Sequence, residues 1–327
     1  DRSLIVGKYY EIIDGKIKPH DLEISSEVKL ALKSLLWDKV DSENMVDPKE
    51  FKELISDWAD LLNQPIPRIK RLSVDIEVEA EIGRIPDPKV AEKKVTAIGL
   101  KGTDGFDQIF VLRTDGTDEG VNELGQNIRI VFYEQSKEKE MILDAFKIIE
   151  EFPFVLTYNG DEFDLPYLFN RAERLGIKNE NNPLYMMKDS ATLKHGVHLD
   201  LYRTLSNRSF QIYAFSQKYT DFSLNSVSKA LLNKEKIDYG LEFDQLSLYQ
   251  IANYCYNDAL LTYELTSFNN DLLMDLLVII ARIGRMPIDD IARMGVSQWI
   301  RSLLYYEHRQ RNALIPKREE LERRSEG

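Results

Sequence analysis

The stretch Leu72-Ser73-Val74-Asp75-Ile76-Glu77-Val78 decides how this chain is read. A period of two sets Leu72, Val74, Ile76 and Val78 on one face of a strand, and Asp75, Glu77 and Glu79 on the other. The apolar face needs a layer to pack against. The acidic face has two readings at this point: a solvated sheet surface whose like charges water screens, or a deliberate row of carboxylates.

Working outward, Arg71 to Val78 reads as a strand, and a polar loop carrying Pro86 and Pro88 leads to strands at Val95 to Leu100 and Gln108 to Arg113. Three consecutive strands of this kind predict an antiparallel meander. A helix follows over Glu138 to Glu151, with Ile142, Ala145, Phe146 and Ile149 spaced to share a face. Phe154 to Tyr158 is a short apolar strand. The next helix begins around Asp164 and Pro166 and ends at Gly176, with Asp164 as a natural N-cap and Gly176 suited to the left-handed residue that follows a helix. Val197 to Leu201 reads as a strand, and Ser223 to Leu232 and Gln245 to Phe268 as helices. The order predicts a mixed α/β layer fold. Upstream, Ile5 to Ile17 reads as two β runs around the hairpin pair Asp14-Gly15. Residues 26–37 and 48–62 have helical spacing, with Trp37 and Trp58 as packing anchors. Pro65 and Pro67 punctuate the chain, which places a boundary near residue 68.

The 327 residues suffice for about two domains. With 43% hydrophobic and 30% charged residues, a disordered tail and a collagen-like fibre are excluded. A single cysteine, Cys255, rules out a disulfide scaffold and a cysteine-based zinc site. No apolar run approaches the ~20 residues that cross a bilayer, so a soluble, cytoplasmic protein is expected. Lys and Arg total 43 against 55 Asp and Glu, a net charge of -12. That balance argues against phosphate-driven adhesion to nucleic acid as the main activity. It leaves a nucleic-acid substrate open, because carboxylates that hold divalent ions bring a counter-charge to a phosphate. The first residue is Asp1 rather than Met, and a piece of a longer protein is expected.

Two further stretches carry chemistry. In Tyr158-Asn159-Gly160-Asp161-Glu162-Phe163-Asp164-Leu165-Pro166-Tyr167 a strand runs out and a helix starts, a favoured ligand position in open α/β sheets. Gly160 permits close backbone approach, Asn159 offers an amide and Phe163 a ring for stacking on a base. Asp164, beside helix N-terminal amides, would stay ionised and able to serve a metal, or would simply cap. In Tyr254-Cys255-Tyr256-Asn257-Asp258, Tyr254 and Asp258 share a helix face, a spacing that chance also produces. Other candidates are weaker. His195 and His198 have metal-like spacing without a third ligand and read as solvated or capping groups. Gly99 to Gly105 lacks the Lys-Ser/Thr of a P-loop and reads as a turn. Cys255 packs rather than reacts. Arg282, Arg285, Arg293 and Arg301 could meet phosphate, although charge on a connecting helix is usually a solvated face.

Taken jointly, acid-x-acid on a first strand, Asn-x3-Phe-Asp after a later strand and Tyr-x3-Asp on a late helix resemble the proofreading 3′-to-5′ exonucleases. The segments "SVDIE", "YNGDEFDLPYL", "SLNSVSKALL" and "YNDALLTYEL" look like the exonuclease domain of archaeal family B DNA polymerases, a likeness covering roughly residues 69 to 315. The resemblance implies a ribonuclease H-like mixed sheet flanked by helices, with a smaller N-terminal segment and a C-terminal helical connector. It divides the chain into 1–68, the end of an N-terminal domain; 69–270, the exonuclease domain; and 271–327, the connector toward a polymerase palm. Asp75 then matches the acid that bridges two divalent ions, Mg²⁺ or Mn²⁺. Glu77 and Asp258 complete one ion site and Asp164 supports the other. Tyr254 matches the residue that hydrogen-bonds the attacking water, and Asn159 and Phe163 hold the terminal nucleotides. Asp200, in "VHLDLY", looks like a recurrent supporting acid.

The implied substrate is a single-stranded 3′ end of DNA, and the implied product a nucleoside 5′-monophosphate. The implied partners are the palm, fingers and thumb of the parent polymerase, together with replication accessory factors. Neither Asp-x2-Ser-Leu-Tyr-Pro nor Tyr-x-Asp-Thr-Asp occurs, so this chain itself is not expected to polymerise. A second reading is a structural, DNA-guiding module with little activity in isolation. A free-standing ribonuclease of similar fold is disfavoured by the flanking segments.

Overall fold

The computed structural model describes residues 64–315 apart from 81–83, 115, 189 and 242–244, together with 10–20 and scattered positions at 4 and between 25 and 62. It divides into two compact units, 68–274 and a second made of 1–67 with 275–327.

In the second unit, β1 (Tyr10–Ile13) and β2 (Lys16–Pro19) pair antiparallel around Asp14 and Gly15. Both turn residues have positive φ, 51° and 70°, the combination that a two-residue hairpin of the favoured twist requires. Described positions among 26–34 and 58–62 are helical, and Trp58 is half-buried. Trp37 and residues 48–57 lie outside the described residues.

The larger unit is built on a six-stranded mixed sheet. Its strands are β3 (Arg71–Val78), β4 (Val95–Gly102), β5 (Asp107–Leu112), β6 (Arg129–Tyr133), β7 (Phe154–Thr157) and a last strand at Val197–Asp200, in the order last-β7-β3-β4-β5-β6. The meander β3-β4-β5 is antiparallel as expected; β7 joins β3, and β6 joins β5, in parallel. The strand β6 carries no alternation of apolar and polar residues and was not anticipated. Nor was the separate hairpin formed by β8 (Leu184–Met187) and β9 (Ser190–Leu193), after which Val197–Asp200 is β10.

Helices cover both faces. On one, α1 (Glu138–Glu150) and α2 (Asp164–Arg174) bury Ile142, Phe146, Ile149, Leu165 and Leu168 against Leu72, Val74 and Ile76. The helix α2 ends in a Schellman arrangement: Ile177 N–H donates to the Ala172 carbonyl, Gly176 N–H to that of Glu173, and Gly176 takes φ 66°. Its start differs from expectation. Asp164 is the first helical residue rather than the N-cap, and its carboxylate accepts an amide of β3.

The chain continues through α3 (Leu201–Ser206), α4 (Leu224–Leu232, capped by Ser223) and α5 (Leu248–Gly284). Non-helical dihedrals at Phe268–Asp271 interrupt α5, so its first segment ends where the spacing predicted. On the opposite face of the sheet, Ile251, Ala252 and Cys255 of α5 pack on Ala97, Ile109 and Val111. The run Gly99 to Gly105 is not a turn throughout: Gly99 and Gly102 belong to β4, and only Thr103–Gly105 turns. Among the described residues no helix is long and apolar enough to cross a membrane.

Candidate metal centre

Alternation along β3 aims Asp75 and Glu77 at the face that α5 covers, and α5 contributes Asp258. One carboxylate oxygen from each of the three lies within 4.8 Å of the others. This approach depends on a glycine. Asp75 pairs with Gly99 across the β3–β4 ladder. A Cβ on Gly99 would stand 2.8 Å from the Cys255 carbonyl oxygen and 3.3 Å from the Ala259 side chain. Without that atom, the helix rests directly on the strand. Cys255 is fully buried and its thiol donates to the Asp75 carbonyl at 3.4 Å, a packing role.

Asp164 enters from the other side. Its Oδ1 accepts the Ile76 N–H at 3.2 Å, between the two acids of β3, and its charge acts on Asp75. It lies near the three-acid cluster without belonging to the closest set. Tyr254, one turn before Asp258, is half-buried. A residue that sequence reasoning missed completes the centre: Lys236 Nζ lies 2.5 Å from Asp258 Oδ2 and 5.0 Å from the centroid of the Tyr254 ring. It sits in the charge-dense run Lys234-Glu235-Lys236, which has the composition of a solvated loop, and no periodicity marks it.

The carboxylates strain against each other. Burial, then the charges of Asp258, Asp164 and Glu77, raise Asp75 well above the carboxylate range, with Lys236 opposing. Glu77 is pushed up to about 8 by burial and Asp258. Asp164 rises to about 7 through burial, resisted by the Ile76 amide. Burial raises Asp258 as well, and Lys236 pulls it back. Lys236, which burial alone would lower, is held above the ordinary ammonium range by Asp258. Burial also raises the Tyr254 phenol, which keeps its proton at neutral pH.

The donor set suits a hard divalent cation. It is all oxygen, as Mg²⁺ and Mn²⁺ prefer. Moreover, Asp75 Oδ2 and Asp258 Oδ1 are buried without a hydrogen-bond partner among the described residues. Buried carboxylate oxygens left in that state are costly unless a cation meets them.

The turn between β7 and α2 lies on the other side of Asp164. Asn159 holds φ 66°, a left-handed conformation that asparagine tolerates better than most residues. Its amide donates to Asp200 Oδ1 at 2.9 Å, the Asp161 amide to Asp200 Oδ2 at 3.1 Å and the Tyr202 amide to Asp200 Oδ1 at 2.9 Å. Asp200 thus supports backbone. Phe163 is half-buried, its ring 5.5 Å from that of Tyr167. Gly160 approaches the Thr157 side chain rather than open space, since a Cβ would lie 2.3 Å from Thr157 Oγ1.

Two expectations need correction. His195 is exposed, but His198 is 2% exposed and bonded within the β10 side of this turn, because it falls on the inward face of a strand that parallel pairing buries. Arg282 is likewise buried and donates to the carbonyls of Gln64 and Pro65, so it does not face phosphate. Arg285 stacks on Tyr306, 4.7 Å from the ring centroid.

Comparison with known proteins gives a consistent picture. Residues 1–227 match the family model described as DNA polymerase family B, exonuclease domain. The chain is 36% identical over 322 residues to DNA polymerase 1 of Sulfolobus acidocaldarius, covering 98% of this chain and 36% of that protein. It is 37% identical over 323 residues to DNA polymerase 1 of Saccharolobus solfataricus, covering 98% and 35%. With DNA polymerase 1 of Pyrococcus abyssi it shares 31% identity over 198 residues, 55% of this chain and 24% of that one. The chain spans about a third of the length of the curated relatives that it matches along nearly its whole extent.

Proposed function

This chain belongs to DNA polymerase family B, whose exonuclease domain it matches, and on that premise we propose that it hydrolyses the 3′-terminal phosphodiester of DNA and releases nucleoside 5′-monophosphates. The observation that carries this reading is the convergence of Asp75, Glu77 and Asp258, with buried oxygens of Asp75 and Asp258 that lack hydrogen-bond partners among the described residues.

Asp75, Glu77 and Asp258, with Asp164 beside them, would hold the divalent ions. Bound Mg²⁺ or Mn²⁺ supplies charge for the entering and departing oxygens and a nucleophile at neutral pH. The protein's own groups do the rest. Tyr254 stays protonated, so its hydroxyl orients the attacking water in line with the leaving O3′ instead of taking its proton. The Lys236 ammonium, paired with Asp258, would offset the negative charge that accumulates on the phosphate. Asn159 and Phe163, at the mouth of the neighbouring turn, hold the last nucleotides.

The substrate on this reading is a single-stranded 3′ end, delivered in the cytoplasm by the palm, fingers and thumb of a whole polymerase and its accessory factors. The division into 1–68, 69–270 and 271–327 belongs to the same proposal. The net charge of -12 favours a second reading, a DNA-guiding module with weak chemistry of its own, because an acidic piece attracts DNA poorly. Digestion of a 3′-ended single-stranded oligonucleotide in Mg²⁺ or Mn²⁺ tests both. We expect measurable release of nucleoside 5′-monophosphates that Asp75→Ala abolishes while circular dichroism shows the fold intact. Digestion by the variant at the parental rate would overturn the site, and no digestion by the parent at high enzyme concentration would favour the guiding module.

A further inference from the structure

We propose that His198 is a positioning residue for nucleotide binding, setting the turn that carries Asn159 and Phe163 through the side chains of Thr157 and Asp161. This rests on the nucleotide-holding role given to that turn above.

His198 and Asp200 stand two apart on β10 and so project from one face, next to Val155 and Thr157 of the parallel strand β7. The two side chains divide the turn between them. Asp200 holds its backbone through the amides of Asn159 and Asp161. His198 packs between its side chains: Nε2 shares a hydrogen bond with Thr157 Oγ1 at 2.8 Å, and Nδ1 approaches Asp161 Oδ1 to 3.3 Å, an ion-pair distance without hydrogen-bond geometry. Thr157 and His198 are 0% and 2% exposed, and Asp161 6%, so solvent replaces none of these contacts.

The contacts close into a ring. Thr157 Oγ1 sits beneath Gly160, where a Cβ would come within 2.3 Å, and Gly160 leads into Asp161, which returns to His198. Within this ring Asn159 is kept in its left-handed conformation at φ 66°. Such a conformation is unfavourable for a non-glycine residue and persists where surrounding contacts determine it. Its effect is to orient Asn159 relative to Phe163, four residues on. The acid beside the metal cluster, Asp164, follows the same turn, whose Asn159 and Gly160 carbonyls accept the Phe163 and Leu165 amides, but its carboxylate is anchored outside the ring by the Ile76 amide. The two functions are therefore separable: disturbing the ring should loosen nucleotide binding and spare the cation.

The test uses the whole chain. Deoxythymidine 5′-monophosphate affinity is measured calorimetrically in Mn²⁺, Mn²⁺ affinity by electron paramagnetic resonance, and KM and kcat on single-stranded oligo(dT). His198→Leu should weaken deoxythymidine monophosphate and raise KM by about 10-fold, the scale of unpairing a buried hydrogen-bonded group, with Mn²⁺ affinity within about 2-fold of the parent. His198→Gln, which keeps one donor and one acceptor, should recover part of the loss. Thr157→Val removes only the hydroxyl that His198 meets; it should act in the same direction and add little to His198→Leu. Should His198→Leu reduce the folded yield, Thr157→Val carries the same test. Parental nucleotide affinity and KM in the folded variants would overturn the proposal, as would equal losses of nucleotide and Mn²⁺ binding. A parent that neither binds deoxythymidine monophosphate nor digests DNA would instead overturn the exonuclease reading beneath it.

Discussion

Gly99 and Cys255 touch backbone to backbone: a Cβ on the glycine would stand 2.8 Å from the cysteine's carbonyl oxygen. The helix bearing Tyr254 and Asp258 is therefore seated on β4 beside the residue that pairs with Asp75. Gly99→Ala should push that helix outward. The expected cost is about 1–3 kcal/mol of stability, the usual scale of overpacking, with a drop of about 10²-fold in exonuclease rate from misplacing Asp258. Thermal unfolding and a single-turnover digest measure the two separately, and a variant with parental rate would show that α5 tolerates the shift.

The raised acids make stability depend on pH in a stated direction. Glu77 moves from an ordinary 4.5 to about 8, and Asp164 from 3.8 to about 7. For both groups the folded value exceeds the unfolded one, so their contribution is fully present below the unfolded values and is lost as pH rises through about 7 to 8. Without metal, Tm should fall between about pH 5 and pH 8. Since cation binding needs the ionised acids, the Tm increment produced by Mn²⁺ should grow across the same window. Scanning fluorimetry in a chelator and in Mn²⁺ reads both trends; a chelated protein whose Tm climbs through this range would contradict the assignment.

Lys236 occupies Asp258 Oδ2 at 2.5 Å. Lys236→Met removes a competitor for that oxygen and, on the proposed function, a positive charge beside the reacting phosphate. At pH 8 the variant should bind Mn²⁺ at least as tightly as the parent and turn over about 10²-fold more slowly, the scale of losing one stabilising group at a developing charge. Loss of Mn²⁺ binding would mean that the ammonium organises the acids instead.

Tyr254→Phe takes away only a hydroxyl. Turnover should slow by about 10-fold to 10²-fold with Mn²⁺ affinity and KM preserved, since a phenol that keeps its proton can orient water but not accept a proton from it. A parental kcat would assign the ring to packing.

Much of this was legible in the sequence where one local rule governed the outcome. The period of two around Asp75 located β3 and the face its acids share, and the spacing of Ile142, Ala145, Phe146 and Ile149 located α1 and its buried side. Where distant parts of the chain competed, local rules failed. Asp164 has the position of a helix cap, but an amide 88 residues away claims its carboxylate. His198 reads as a polar residue entering a strand, and only the parallel partner β7 reveals that it faces inward. Gly99 looks like one of several turn glycines until α5 is laid across it. Lys236 is missed for the opposite reason, since a lysine among charges carries no local signal at all.

The thiol-to-carbonyl contact between Cys255 and Asp75 joins positions 180 apart in the chain. Closing so long a loop carries more entropic cost than forming shorter-range contacts such as the β3–β4–β5 meander, so we expect it to come after them. No partly folded species that has yet to dock this helix can possess the acid triad. Uptake of a paramagnetic cation during refolding would therefore time the final docking event, and would lag behind the recovery of helical and sheet signal.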